Sequence, residues 1–251
     1  MLENIEKEQM LKITKGIAVN ANALPENPLT GFLSMRGTDY DRDLMVVGRA
    51  TNGWVPGLKP DEMHDEQKVV DFMNRIEESR IKYGVHWVVD SWGNKHDYDP
   101  ATSAFWRTTK TLLSELIQMN DEAVKRWSSK IVWSNLYKVA PKDGGNPSER
   151  LAGIQLKACR ELLQAEILAY KPKRLVFATG GWANDFLDMP CFLPARDDFP
   201  NEHVERFGTI VVGGENIGAY VVAKHPQGKK ERVWVDNVKF FLARASFQAV
   251  S

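Results

Sequence analysis

Polar side chains directly after short apolar runs are the groups of this sequence placed to do chemistry, because a strand end can present them without breaking a core. Such groups stand at 48–52 (Gly-Arg-Ala-Thr-Asn), at Asn135, at Thr179-Gly180-Gly181 and at Lys224-His225. Asn135 follows Ile131-Val132-Trp133-Ser134, a β-branched and aromatic run suited to a short buried strand. Its amide offers a donor and acceptors side by side, which is what reading a nucleobase edge requires. Tying down its own loop is the other use open to it. Past a loop rich in glycine and proline, Asn146-Pro147-Ser148-Glu149 has the form of a helix start, with Asn146 as cap and Glu149 completing a capping box. Thr179-Gly180-Gly181 lacks the spacing and the lysine of a nucleoside-triphosphate loop. There is no nucleophile elbow to support a small-molecule hydrolase.

These groups need elements to hold them. Apolar spacing predicts helices over 2–18, 65–83, 102–119, 121–129, 147–170 and 229–245. Buried strands are expected at 43–48, 131–135 and 174–179, with two more at 209–212 and 219–223 joined by the turn 213–216. The run 86–90 reads as a strand or as part of a packed insertion, and 188–208, with three prolines, reads as irregular. Short apolar strands alternating with amphipathic helices predict an α/β fold with a mostly parallel sheet covered on both faces. Ligands of such sheets bind beyond the carboxyl ends of the strands, so the polar groups are expected on one rim. No repeat or low-complexity linker interrupts the chain, and one domain over 1–251 is the simplest parse.

Composition narrows the class further. Lysine plus arginine and aspartate plus glutamate balance at 33 each, which argues against a general electrostatic sponge for nucleic acid but not against a local basic surface. Cys159 and Cys191 are far apart in no metal-ligand spacing, so no zinc or iron–sulfur site and no cofactor is expected. No apolar run approaches the roughly 18 residues that span a bilayer, and the charged first residues do not suit a signal peptide. A cytoplasmic chain without a membrane partner is the expectation.

Taken in order, the four strand ends resemble the motifs of the uracil-DNA glycosylase superfamily, in its compact α/β members. The resemblance covers about residues 43–54 and 101–242. Val46-Val47-Gly48-Arg49-Ala50-Thr51-Asn52-Gly53 is similar to the first motif, and Trp133-Ser134-Asn135-Leu136-Tyr137-Lys138 to the second, whose asparagine reads a flipped base. Arg174 to Gly180 looks like the third strand, and Ala223-Lys224-His225-Pro226-Gln227-Gly228 resembles the His-Pro-Ser motif. The resemblance implies a three-layer α/β/α sandwich around a sheet of about four to five strands. Three departures stand out. Ala50 occupies the place where an acid or amide often positions water, Gln227 replaces the serine, and only Cys159 falls near a cluster-ligand position. The segment at about 55–100 is an insertion beside the first motif.

The implied activity is a monofunctional DNA glycosylase, which flips a base out of the helix and hydrolyses its N-glycosidic bond to leave an abasic site. The resemblance gives His225 the role of a donor to the departing base, and Asn135 the role of its reader. Phe105 falls where the stacking phenylalanine lies, with Trp54 and Trp106 as further aromatic candidates, and Gly48, Arg49 and Ala50 line the same pocket. Each of these rings has a core role as its plain alternative. Asn52, two residues beyond Ala50 on the same rim, is the candidate for orienting water, with Asp43, Asp90, Asp97 and Asp99 as carboxylate alternatives. Lys224, Lys229, Lys230 and Arg232 are candidates for phosphate contact at the start of the last helix, or form a solvated face. DNA is the expected partner of a monomer. The insertion, with Trp87, Trp92 and His96, suggests a bulky modified pyrimidine in foreign DNA such as a phage genome as target, in defence or in repair. A catalytically silent nucleic-acid or nucleotide binder on the same fold is the alternative, favoured by Ala50.

Overall fold

A computed structural model of the chain describes residues 1–96, 98–195 and 201–248. The elements are α1 (Leu2–Val19), β1 (Leu29–Gly31), β2 (Met35–Arg36), β3 (Leu44–Gly48), α2 (Glu66–Tyr83), α3 (Trp87–Asp90), α4 (Ala104–Leu116) and α5 (Asp121–Val124). They continue with β4 (Ile131–Asn135), β5 (Val139–Pro141), α6 (Glu149–Tyr170), β6 (Arg174–Ala178), β7 (Phe192–Pro194), β8 (Val204–Val212), β9 (Glu215–Ala223) and α7 (Glu231–Gln248). Two compact units are made from them, and the chain passes from one to the other between β1 and β2, within β3, after α2, within β4 and near the end of α6.

The first unit comprises Met1–Ser34, Gly48–Tyr83 and Ser134–Ala169. Its core is built from the apolar faces of three helices: Met10, Ile13 and Ile17 on α1, Phe72 and Ile76 on α2, and Leu162, Leu163 and Ile167 on α6. A small antiparallel sheet of β1 and β5 lies within it, in the register Thr30 to Ala140. The helix α6 starts later than its sequence suggests. Ser148 Oγ accepts the Leu151 N–H at 3.3 Å, so Ser148 and not Asn146 is the cap, and Pro147 stands outside the first turn.

The second unit comprises Met35–Val47, Gly84–Trp133 and Tyr170–Ser251. Among the described residues its sheet has seven strands, in the order β2-β4-β3-β6-β9-β8-β7. The pairs β3–β6 and β6–β9 are parallel. The pairs β2–β4, β8–β9 and β7–β8 are antiparallel. The sheet is therefore mixed and larger than the four to five mostly parallel strands expected. The difference has a local cause. Gly213 and Gly214 both adopt positive φ (61° and 84°), the two-residue turn whose twist matches paired strands, so β8 and β9 zip into a hairpin far longer than 209–212 and 219–223. Its outer edge then recruits Phe192–Pro194 as β7, from a stretch that reads as irregular. The α7 helix lies against β8 and β9, and α4 packs against α7. Residues 87–90 form one helical turn instead of a strand.

Of the segment 55–100, the part up to Tyr83 belongs to the first unit and the part from Gly84 to the second. No described helix is long and apolar enough to cross a membrane.

Candidate functional site

In the first unit, the ends of β3 and β4 are joined by backbone bonds. The Leu136 N–H donates to Gly48 O at 2.9 Å and the Tyr137 N–H to Arg49 O at 3.0 Å. Asn135 is the last residue of β4 and only 2% exposed, yet its Nδ2 finds no acceptor among the described residues. A buried donor left unmade costs about 1–3 kcal/mol, so such groups are rare unless something outside the chain completes them.

Behind Asn135 lies a fully buried polar network. Lys138 and Glu166 are both 0% exposed and their side chains meet at 2.7 Å. Lys138 Nζ also donates to Ser134 Oγ at 2.8 Å and to the Asn135 carbonyl at 2.9 Å, which uses all three of its donors. Ser134 Oγ closes the ring by donating to Glu166 Oε2 at 2.6 Å. Gln155 on α6 fastens the next residues, its Oε1 accepting from Lys138 N–H at 3.1 Å and Val139 N–H at 2.9 Å. The Cys159 thiol leans on the same Oε1 at 3.4 Å, and burial pushes its pKa up to about 12. Glu6, buried nearby and bonded through both oxygens to Arg80 at 2.8 Å, has its carboxyl raised, first by burial.

The loop after β3 carries the other first-unit candidates. Gly48 is buried, Arg49 and Ala50 are half-buried, and Asn52 is exposed, its Oδ1 3.9 Å from where a β-carbon of Gly144 would lie. Asn52 thus borders the glycine loop 141–147. Trp54 packs edge-on against Phe32 at 6.3 Å and Tyr83 at 6.1 Å, an arrangement that gives its ring a core role.

In the second unit, His225 stands two residues beyond β9. Its Nδ1 accepts the Gln227 N–H at 3.2 Å, which places the proton of a neutral ring on Nε2. The Phe105 ring lies nearly parallel to it, 17° apart with centroids at 6.5 Å, and is itself held edge-on by Trp106 at 4.8 Å. Trp106 belongs to a tryptophan cluster with Trp87, Trp127 and Trp133. Two insertion residues are packed with that cluster: Trp87 also meets Trp133 at 5.9 Å, and Trp92 meets Trp127 at 6.1 Å with Lys110 over its face.

The four basic candidates differ in their surroundings. Lys224 and Lys229 are half-buried and Lys230 is exposed. Arg232 is exposed but paired with Asp236 at 2.6 Å and with Glu115. Glu231, in the first turn of α7, is clasped by Arg107, whose Nε reaches its two oxygens at 3.0 and 3.2 Å. That carboxylate takes up part of the anion-attracting capacity of the helix start.

Of the carboxylate alternatives, Asp99 has a structural role. Asp43 precedes β3, at the strand end opposite Gly48. Asp90 is exposed beside His86 Nε2 at 3.8 Å. Asp99 caps the turn at 100–102 and accepts from the N–H groups of Ala101 at 2.8 Å and Gly93 at 2.7 Å. Asp97 lies outside the described residues. One carboxylate escaped the sequence reading. A β-carbon at Gly180 would meet Glu205 Oε1 at 3.5 Å and Lys224 Cα at 3.7 Å, so Glu205 stands at the ends of β6 and β9. It lies where the β8–β9 register shifts, and a bulge is what re-aims a strand side chain.

Glu166 is the other residue missed. Its signal was a carboxylate four residues after Leu162 and three after Leu163, on the buried stripe of α6. Among the described residues, no group of three or more His, Cys, Asp and Glu side chains is arranged to hold a metal. Compared with known proteins, the chain matches no family model and no curated protein.

Proposed function

We propose that this protein is a DNA glycosylase, working on a three-layer α/β/α sandwich as a monomer. It takes a damaged or modified base out of the DNA stack and hydrolyses the N-glycosidic bond. The observation that carries the reading is the buried Asn135 Nδ2 without an acceptor: a nucleobase carbonyl or ring nitrogen is an acceptor of the right kind. The parallel pairing of β3 with β6 and of β6 with β9 supports it, as the resemblance implies a mostly parallel sheet.

In this mechanism the glycosidic electron pair leaves with the base as the sugar becomes oxocarbenium-like. In the roles that the resemblance gives them, Asn135 reads the base edge and His225 donates to a base oxygen as negative charge grows there. Phe105 offers a ring face for stacking, worth about 1–3 kcal/mol per base. Water then adds to the sugar, and its proton passes to solvent or to the departing base. Asn52 and Glu205 are the groups assigned to orient that water. Glu205→Gln abolishing the acid limb of the pH–rate profile would select Glu205, and an unchanged profile would select Asn52.

The test is a panel of single- and double-stranded oligonucleotides carrying uracil, hypoxanthine, oxidised cytosine, and hydroxymethylated or glucosylated cytosine, scored for abasic sites. Abasic sites on at least one are expected. The second reading, a silent nucleic-acid binder, is favoured by Ala50 and by the lack of any carboxylate in 48–54. It wins if the panel is bound but never cleaved.

A further inference from the structure

We infer that Lys138, Glu166 and Ser134 form a positioning device for Asn135, holding its amide in place while it has no partner. The inference rests on Asn135 being the base reader. An amide that makes no hydrogen bond of its own has nothing in its side chain to fix its direction, and every free rotation costs precision when a base arrives. Its direction must come from the backbone that carries it.

The peptide group that follows Asn135 is gripped at both its N–H and its carbonyl. The peptide after Asn135 is held by the Gly48 carbonyl, through Leu136 N–H at 2.9 Å. The Asn135 carbonyl is held by Lys138 Nζ at 2.9 Å, and Lys138 is anchored by Glu166 at 2.7 Å. Glu166 is on α6, so the reader's carbonyl is tied to the longest helix of the first unit through a single charged contact. A loop needing only to be closed has cheaper means, since an ion pair without solvent exposure repays its desolvation only when every proton and lone pair is met. Here all three ammonium protons and both carboxylate oxygens are engaged, and the carbonyl this pair serves is that of the residue with the orphan donor.

Truncating one partner alone strands a buried charge, so the informative variant replaces both with apolar side chains of similar volume, Lys138→Met with Glu166→Leu. Selective nitrogen labelling of asparagine lets the Asn135 side-chain amide be followed by NMR in the full chain, with no substrate present. Its order parameter is expected to fall from about 0.85 to below roughly 0.6 in the double variant, while the amides of β3 and β6 keep theirs. Glu166→Gln, which keeps both polar atoms and removes the charge, is expected to show a partial fall and decides the matter if the double variant does not fold. On the panel oligonucleotide from which wild type releases a base, kcat is expected to drop about 100-fold with KM little changed. An unchanged Asn135 order parameter in a folded variant overturns the inference. If wild-type protein releases no base from any oligonucleotide, it is the glycosylase reading that fails, and the NMR arm still decides the positioning role.

Discussion

Replacing Asn135 by leucine sets function against stability, and the structure fixes the sign of each. Leucine has nearly the shape of asparagine but no polar atoms, so the variant removes a buried Nδ2 that has no acceptor. Relieving an unsatisfied buried donor returns about 1–3 kcal/mol, and burying the added apolar surface contributes further at about 25 cal/mol per Å². Strain from the branched side chain subtracts up to about 1.5 kcal/mol, leaving a net gain of roughly 1 kcal/mol. For a chain of this size that is a rise in Tm of about 2–4 °C. Calorimetry and urea unfolding measure the gain, and base excision measured on the same preparation is expected to vanish. A stabilised, inactive protein is the mark of a polar group kept for a ligand. A variant destabilised by more than about 1 kcal/mol would refute the reasoning, because it would mean that the amide holds the structure itself.

Further outcomes follow from the same structure. Cys159 and Cys191 are buried, with thiol pKa values pushed by burial to about 12 and about 11, so Ellman's reagent at pH 8 is expected to label neither in the native protein and both after urea unfolding. Lys229→Ala and Lys230→Ala are each expected to reduce the slope of log affinity for DNA against log salt by about 1, and Arg232→Ala to leave it unchanged because Asp236 and Glu115 already engage that guanidinium. Glu115 has its carboxyl lowered below 4.5, first by the hydrogen bond from Lys239. Its stabilising contribution is therefore present above pH 4.5 and is lost as the pH falls through the lower folded value. Glu115→Gln is expected to cost about 0.5–1 kcal/mol in urea unfolding at pH 7 and nothing in strong acid.

Much of the frame was legible in the sequence because it obeys one period at a time. The 3.6-residue spacing of α1, α2 and α6 and the apolar runs of β3, β4 and β6 each point to a single element. What stayed hidden depends on contacts between distant residues. Phe192–Pro194 is too short and too proline-marked to read as a strand, and becomes one only because the β8 edge is there to receive it. Trp87-Val88-Val89 has strand-like residues but turns helically, with Trp87 packed on Trp106 and Trp133. At the candidate site, Asn135 and His225 were visible as polar groups after apolar runs. The brace behind Asn135 was not, since Glu166 pairs with a lysine 28 residues earlier and looks like any helix carboxylate until it is buried. Of the aspartates singled out for water, Asp99 serves as a cap, a role that its place before Pro100 makes legible.

On the proposed function, Asn135 and His225 serve the release of a free base. The most direct measurement is mass-spectrometric detection of free base after incubating wild-type, Asn135→Ala and His225→Ala proteins with the oligonucleotide panel and with modified phage DNA. Release by wild type, reduced at least about 100-fold in each variant while both remain folded, is the predicted result. Release that persists undiminished in both variants, or no release from any substrate, would contradict it.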